Sequence, residues 1–165
     1  MTYTMACDQQ TDLAFVADST LGKLAKNLRL AGFDTLLDKG VPSTRRLVCL
    51  AAGQRIVLTR STKVKKELGA GHVVFIHANQ PSVQMSQLIA TVHLRREDLR
   101  PMSLCALCNR RLDCVNPDEV RGRVPDFVRQ QHSRFKACPA CKRIYWPGTH
   151  TDRWMRRMEM WFNSG

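Results

Sequence analysis

No stretch of this 165-residue chain approaches the roughly 18 consecutive apolar residues of a membrane-spanning helix, which argues against a helical transmembrane protein. Its opening, MTYTMACDQQTD, has no basic segment leading into an apolar one, so no secretory signal is expected and the expected location is cytoplasmic. Internal repeats and low-complexity tracts are absent. Seven cysteines, an odd number, argue against a closed disulfide framework. Acidic residues are also scarce, 14 against 26 lysines and arginines, for a net charge of +12. That excess favours polyanionic partners, nucleic acid above all, through counterion release and steering. No basic amphipathic segment with a bulky apolar face stands free of the core, so a membrane-surface role is not expected. Residues 1–100 carry 14 basic and 8 acidic side chains and residues 101–165 carry 12 and 6, so the shorter C-terminal part is the more densely basic.

What is present begins with Phe15 to Leu37, FVADSTLGKLAKNLRLAGFDTLL. A short apolar run, Ala14 to Ala17, stops at Asp18. Leu21, Leu24, Leu28 and Ala31 then recur at helical spacing, which leaves Lys23, Lys26 and Arg29 facing solvent. Gly32 ends the helix, and a second apolar run, Thr35 to Leu37, starts beside Asp34. Strand, helix, strand with a carboxylate after the first strand is an open α/β beginning, and ligands of such sheets bind outside the carboxyl ends of the strands.

The alternation continues. Arg45 to Ala52 reads as a short helix burying Leu47, Val48, Leu50 and Ala51 and closed by Gly53, and Cys49 reads as a core residue. Arg55 to Thr59, RIVLT, is a strand after a glycine turn. Thr62 to Leu68 is a basic helix, Val73 to Ile76 a fourth strand, and Ser82 to Leu94 an amphipathic helix with Met85, Leu88, Ile89 and Val92 on one stripe. Four strands alternating with helices predict a parallel sheet. Near residues 95–104, RREDLRPMSL, the composition turns charged. A boundary there divides the chain into an α/β domain, 1–98, and a small module, 99–165. The module ends in a helix, His150 to Phe162, with Trp154, Met158 and Trp161 aligned.

Two C-x2-C pairs, Cys105/Cys108 and Cys138/Cys141, lie 29 residues apart, the pattern of a four-cysteine zinc ribbon. Each pair turns back on itself to present two thiolates, and the metal supplies folding energy that so small a module lacks. With four cysteine ligands no coordination position stays open, so the zinc would be structural. Cys114, Cys7 and Cys49 have no expected metal role. His150, in YWPGTH, fits either an RNA contact or the cap of the last helix. Tyr145 and Trp146 beside Lys142 and Arg143 form an aromatic and basic cluster suited to stacking bases and pairing phosphates, or to packing the ribbon on the first domain.

The motifs FVADSTLGKLAKNLRLAGFDT, RIVLTRS, CALC and CPACKRIYWPGTH together resemble the Mut-seven C-terminal ribonuclease domain family, a PIN-like fold followed by a zinc ribbon, over about Phe15 to Met158. The resemblance implies an α/β, PIN-like parallel sheet with flanking helices, a small ribbon and a C-terminal helix. It also implies a site where clustered acids bind Mg²⁺ or Mn²⁺ and activate water against an RNA phosphodiester. Asp18 carries over to the first acid and Asp34 to the aspartate after the first helix, with Asp38 and Ser61 as further candidates. Two positions depart from the family. Its third-strand motif usually reads LTRD, whereas this chain has Thr59-Arg60-Ser61. The start of the second helix, Ser43-Thr44-Arg45-Arg46, has no carboxylate. Mg²⁺ is usually held by one or two carboxylates plus substrate phosphate, so the expectation is RNA binding with a degenerate hydrolytic site. An active metal-dependent endoribonuclease using Asp18 and Asp34 is the alternative. A regulatory module docking a protein or ribonucleoprotein through the ribbon is the reading from another class. Phosphate contacts are expected from Lys23, Lys26, Arg29, Arg60, Lys63, Lys65 and Lys66, and from Arg134, Lys136, Lys142 and Arg143.

Overall fold

The computed structural model describes residues 13–40, 43–52, 54–69, 71 and 73–163. Cys7 and Gly53 lie outside the described residues. The chain opens with β1 (Ala14–Ala17), α1 (Gly22–Ala31), β2 (Asp34–Leu37), α2 (Thr44–Ala51), β3 (Ile56–Thr59), α3 (Thr62–Leu68), β4 (Val73–Phe75) and α4 (Pro81–Val92). The four strands form one parallel sheet in the order β2-β1-β3-β4. The path runs from β1 outward to β2 and back across to β3, and right-handed crossovers then place helices on both faces.

Side-chain alternation along the strands divides the core accordingly. Phe15, Ala17 and Leu58 face Leu24 and Leu28 of α1 and Met85 and Leu88 of α4. Val16 and Val57 face Leu47 of α2 and Val64 of α3. The α2 layer is thin. Leu47 is buried and Leu50 and Ala51 sit at its margin, but Val48 is 48% exposed and Cys49 is exposed, against the expectation that both are core. Residues i, i+3 and i+4 share a helix face, so once Leu47 points inward its two successors must turn outward. Gly32 ends α1 at φ 97°, and a Cβ there would lie 2.4 Å from the Arg100 carbonyl oxygen. The close approach is functional in packing terms, because the Arg100 amide donates to the Ala31 carbonyl at 2.7 Å.

After α4 a second, antiparallel sheet forms from β5 (Asp113–Val115), β6 (Phe135–Ala137) and β7 (Ile144–Tyr145), with α5 (Asp126–Gln131) packed beside it. Val120, Val124, Val128 and Phe135 make its small core. The last helix, α6 (Thr149–Asn163), leaves this module: its stripe of Trp154, Met158 and Trp161 joins the core of Phe15, Leu24 and Met85. The sequence assigns this helix to the ribbon unit, but its apolar face completes the α1/α4 layer of the parallel sheet. No helix among the described residues is long and apolar enough to cross a membrane.

Candidate functional site

Asp18 follows β1 directly and is fully buried. One carboxylate oxygen accepts from the Thr20 amide (2.9 Å) and hydroxyl (2.5 Å), and the other from the Thr59 hydroxyl (2.6 Å) and the Arg60 amide (2.9 Å). Four donors fill the usual lone-pair sites of a carboxylate. The strand order makes the gap between β1 and β3 the topological switch point, where open α/β sheets bind ligands. Asp18 spans that gap itself and ties the turn before α1 to the end of β3. Its neighbour at the end of β2 is Asp38, whose amide donates to the Ala17 carbonyl at 2.9 Å. Asp38 Oδ1 accepts from the Gly40 amide (3.1 Å) and pairs with the Arg46 guanidinium (2.6 Å), while its buried Oδ2 has no hydrogen-bond partner. Gly40 makes room for this pairing, since a Cβ there would meet Arg46 at 2.1 Å. Ser61 is occupied as well. Its amide donates to the Thr59 hydroxyl, and its own hydroxyl accepts from the Val64 amide at the start of α3.

Asp34 does not join this group. In the parallel pair β1/β2 it stands opposite Ala14, at the amino ends of the strands. Four residues of extended chain, about 13 Å, separate it from Asp38. It pairs there with Arg55 (2.5 Å) and accepts from the Asn109 side-chain amide, whose oxygen in turn accepts from the Thr35 amide (3.0 Å). Partial burial opposes its ionisation, but the hydrogen bonds from Arg55 and Asn109 prevail and hold its carboxyl below the usual value. Arg29 belongs to the same junction. Expected on the surface, it is buried, and it donates to the carbonyls of Thr35 (2.8 Å), Ala106 (3.3 Å) and Leu107 (2.9 Å). Asp34, Arg29 and Asn109 thus fasten the first cysteine turn to the edge of the parallel sheet.

The sulfurs of Cys105, Cys108, Cys138 and Cys141 all lie within 4.8 Å of one another, the one such cluster of potential metal ligands among the described residues. The two cysteine turns are built alike. The first carbonyl of each accepts from the residue after the second cysteine, Asn109 or Lys142, at 2.9 Å. Those two residues take the left-handed conformation, φ 57° and 61°. The second cysteine's amide points at the first sulfur, at 3.4 Å in one turn and 3.5 Å in the other. Sulfurs about 2.3 Å from a tetrahedral zinc are about 3.8 Å apart, and Cys105 and Cys141 are 3.6 Å apart. The electrostatics favour a cation too. Burial opposes the Cys105 thiolate, yet the Tyr145 hydroxyl and the Cys108 and Leu107 amides bring its thiol down to about 6. Hydrogen bonding to Cys141 and burial push the Cys108 thiol up to about 12, and burial raises Cys138. Four thiols this close cannot all ionise without a positive ion among them. The cluster is compatible with a metal such as zinc.

A cleft of about 930 Å³ runs between α1, α6 and the ribbon. Its charged walls are Lys23, Lys26, Arg143, Arg153 and Arg157, with no carboxylate, over an apolar floor that includes Leu30, Met102 and Trp154. Lys23 lies just past the Asp18 turn, and Leu30 lies two helical turns further toward the ribbon. A second groove, of about 430 Å³, opens between α5, β7 and the start of α6 and carries no lysine, arginine or carboxylate. Ile144, Tyr145, His150 and Thr151 line both cavities.

The family model that this chain matches is that of the Mut7-C RNAse domain, over residues 13–158. The chain belongs to the Mut7-C RNAse domain family. The matched span runs from the residue before β1 to the buried Met158, so the Mut7-C unit takes in the sheet, the ribbon and most of α6. Membership supports a ribonuclease-like, RNA-related function, with RNA as the partner it suggests. No curated protein and no solved structure matches the chain closely enough to add to this.

Of the residues expected to touch RNA in this Mut7-C chain, Lys23, Lys26 and Arg143 line the cleft, and His150 and Tyr145 line both cavities. Tyr145 turns its hydroxyl to Cys105 (3.2 Å) and to the Ala106 amide (3.2 Å), and Trp146 lines the groove. Lys63, Lys65 and Lys66 are exposed on α3, across the sheet from the cleft, with the Lys65 ammonium 4.9 Å from the Phe75 ring centre. Arg60 hydrogen-bonds Asn79, Arg134 and Lys142 are exposed on the ribbon, and Lys136, like Arg29, is buried against expectation. Lys136 occupies the central ribbon strand, paired on both sides by β5 and β7. Sequence reasoning passed over Arg153 and Arg157, although each immediately precedes a member of the Trp154/Met158 stripe at the same i, i+4 spacing. It also passed over Phe127 and His132 in the groove.

Proposed function

We propose that this Mut7-C chain binds RNA through its basic surface, that its ribbon holds a structural zinc, and that its phosphodiester-hydrolysis site is degenerate. The observation that carries the reading is the engagement of both Asp18 oxygens and of Asp38 Oδ1 by the chain's own groups. Mg²⁺ and Mn²⁺ are held by oxygen ligands, most of all by carboxylates with lone pairs to give. Asp18 spends its lone pairs on Thr20, Thr59 and Arg60. A guanidinium faces Asp38. Ser61, where the family usually has aspartate, offers a hydroxyl engaged at the start of α3. The one carboxylate oxygen of the pocket left without a partner is Asp38 Oδ2, and a single free oxygen beside the Arg46 guanidinium is a poor fit to a divalent cation.

The zinc fits, by contrast. Cys105, Cys108, Cys138 and Cys141 would hold it, with the Tyr145 hydroxyl hydrogen-bonded to the Cys105 sulfur from outside. When bound it supplies folding energy to the ribbon, and with four protein ligands it leaves no position for substrate.

Incubation with structured and single-stranded RNA in Mn²⁺ tests the degenerate site. The expected result is binding with a steep salt dependence and no cleavage above that of Asp18→Asn or Asp38→Asn. Robust cleavage lost in either variant overturns the reading.

A further inference from the structure

We propose that the basic cleft and the ribbon groove form one site for single-stranded RNA, with the sugar-phosphate backbone in the cleft and an unstacked base in the groove. This rests on the reading of the chain as an RNA binder and says which RNA and where. Three observations carry it. The five cations of the cleft face no carboxylate in its walls, and none of them forms an ion pair among the described residues. Charge left uncompensated along one channel fits a polyanion that tracks through it.

The groove next to it has the opposite character. It carries no lysine, arginine or carboxylate and is lined by Phe127, Trp146, His132 and Gln131, and Phe127 is 61% exposed although its neighbours Val124 and Val128 are buried. Aromatic faces accept any base by stacking, and an amide and imidazoles at the rim offer hydrogen bonds to base edges. Finally, the two cavities share Ile144, Tyr145, His150 and Thr151, so they lie on either side of these four residues, and a nucleotide that spans them places its phosphate in one and its base in the other. A duplex cannot use this arrangement, because its bases are stacked and paired inside the helix. A single strand can turn one out.

The test uses the full chain with zinc bound and three probes: a fluorescein-labelled single-stranded RNA, the same sequence as a duplex, and inorganic polyphosphate as competitor. Phe127→Ala is expected to weaken single-strand binding about tenfold with the salt slope unchanged, since stacking is lost and no phosphate contact is. Arg153→Glu with Arg157→Glu is expected to weaken it further and to flatten the salt slope. Both sites are exposed or at a cavity wall, and unchanged zinc content and circular dichroism confirm that the variants fold. Polyphosphate is expected to displace RNA from Phe127→Ala more readily than from the wild type. The inference is overturned if duplex binds as tightly as single strand, or if Phe127→Ala leaves affinity unchanged. RNA binding that survives both sets of substitutions also overturns it while leaving the broader reading intact. No RNA binding by the wild type at low salt would remove both.

Discussion

The pocket at the carboxyl ends of the parallel strands and the cleft beside α1 are close neighbours, yet they treat charge in opposite ways. In the pocket every lone pair of Asp18 is met by its own chain, and Asp38 faces Arg46. In the cleft five cations line the walls with no carboxylate among them. A charge satisfied internally fixes the fold, whereas one left open is available to a partner. Substitutions in the first region should therefore cost stability, and in the second, affinity.

The largest effect is expected outside both, at the cysteine cluster. Structural zinc sites in small modules bind with about 10–16 kcal/mol near neutral pH, and that energy is folding energy. Cys138→Ser should abolish stoichiometric zinc, read by metal analysis, and unfold the ribbon, read by loss of cooperative thermal melting. Arg29 and Asn109 couple the first cysteine turn to β2, so the parallel sheet should lose stability too. A sheet domain that melts unchanged would show that this junction transmits nothing.

Next comes Asp18→Ala. It strands the buried Thr59 hydroxyl and takes the acceptor from the Arg60 and Thr20 amides, which lie nearer the surface, at about 2–4 kcal/mol in all. Denaturant unfolding measures this, and RNA affinity of the folded fraction is expected to stay within about twofold. A large affinity loss with full stability would instead make the pocket part of the RNA site and erase the contrast. The complementary variant is Lys23→Glu with Lys26→Glu. It should weaken RNA binding about tenfold or more at low salt with little change in melting, since each phosphate contact adds to the salt slope. The same reversal at Lys63 and Lys66, on the far face of the sheet, should change affinity much less.

These contrasts were only partly legible in the sequence. The strand Ala14–Ala17, the stripe of α1, the stop at Gly32 and the four-cysteine pattern all follow from local spacing, and the structure has them where the spacing puts them. What local spacing cannot show is which end of a sheet a residue occupies or what reaches it from afar. Asp18 follows its strand and Asp34 begins the next, and in a parallel pair those are opposite ends. Arg29 reads as a solvent-facing position on α1, but carbonyls from residues 106 and 107 arrive to bury it. Val48 and Cys49 sit in a continuous apolar run, where periodicity gives no phase, and only contact with Val16 and Val57 selects Leu47 as the inward residue. Arg153 and Arg157 become neighbours of Lys26 only because α6 folds back onto the first core.

The smallest expected effect is in the pH dependence of the junction. The Asp34 carboxyl is held below its ordinary value in the folded chain, so its pairing with Arg55 and Asn109 contributes stability that is fully present above the unfolded-state value, near 3.8. That contribution is lost as the pH falls through the lower folded-state value. Acid would also protonate the cysteine thiolates and release a zinc held by them, which would mask Asp34 in any single melting curve. The difference between wild type and Asp34→Asn isolates it. The variant should be less stable at neutral pH, and the gap should narrow as the pH drops below about 4, because the wild type then loses the same charge. The pair is partly open to solvent, so the gap should also shrink in high salt. A gap that is constant across pH would mean that Asp34 acts through shape and its hydrogen bond to Asn109 alone, with its charge contributing nothing to the seam between sheet and ribbon.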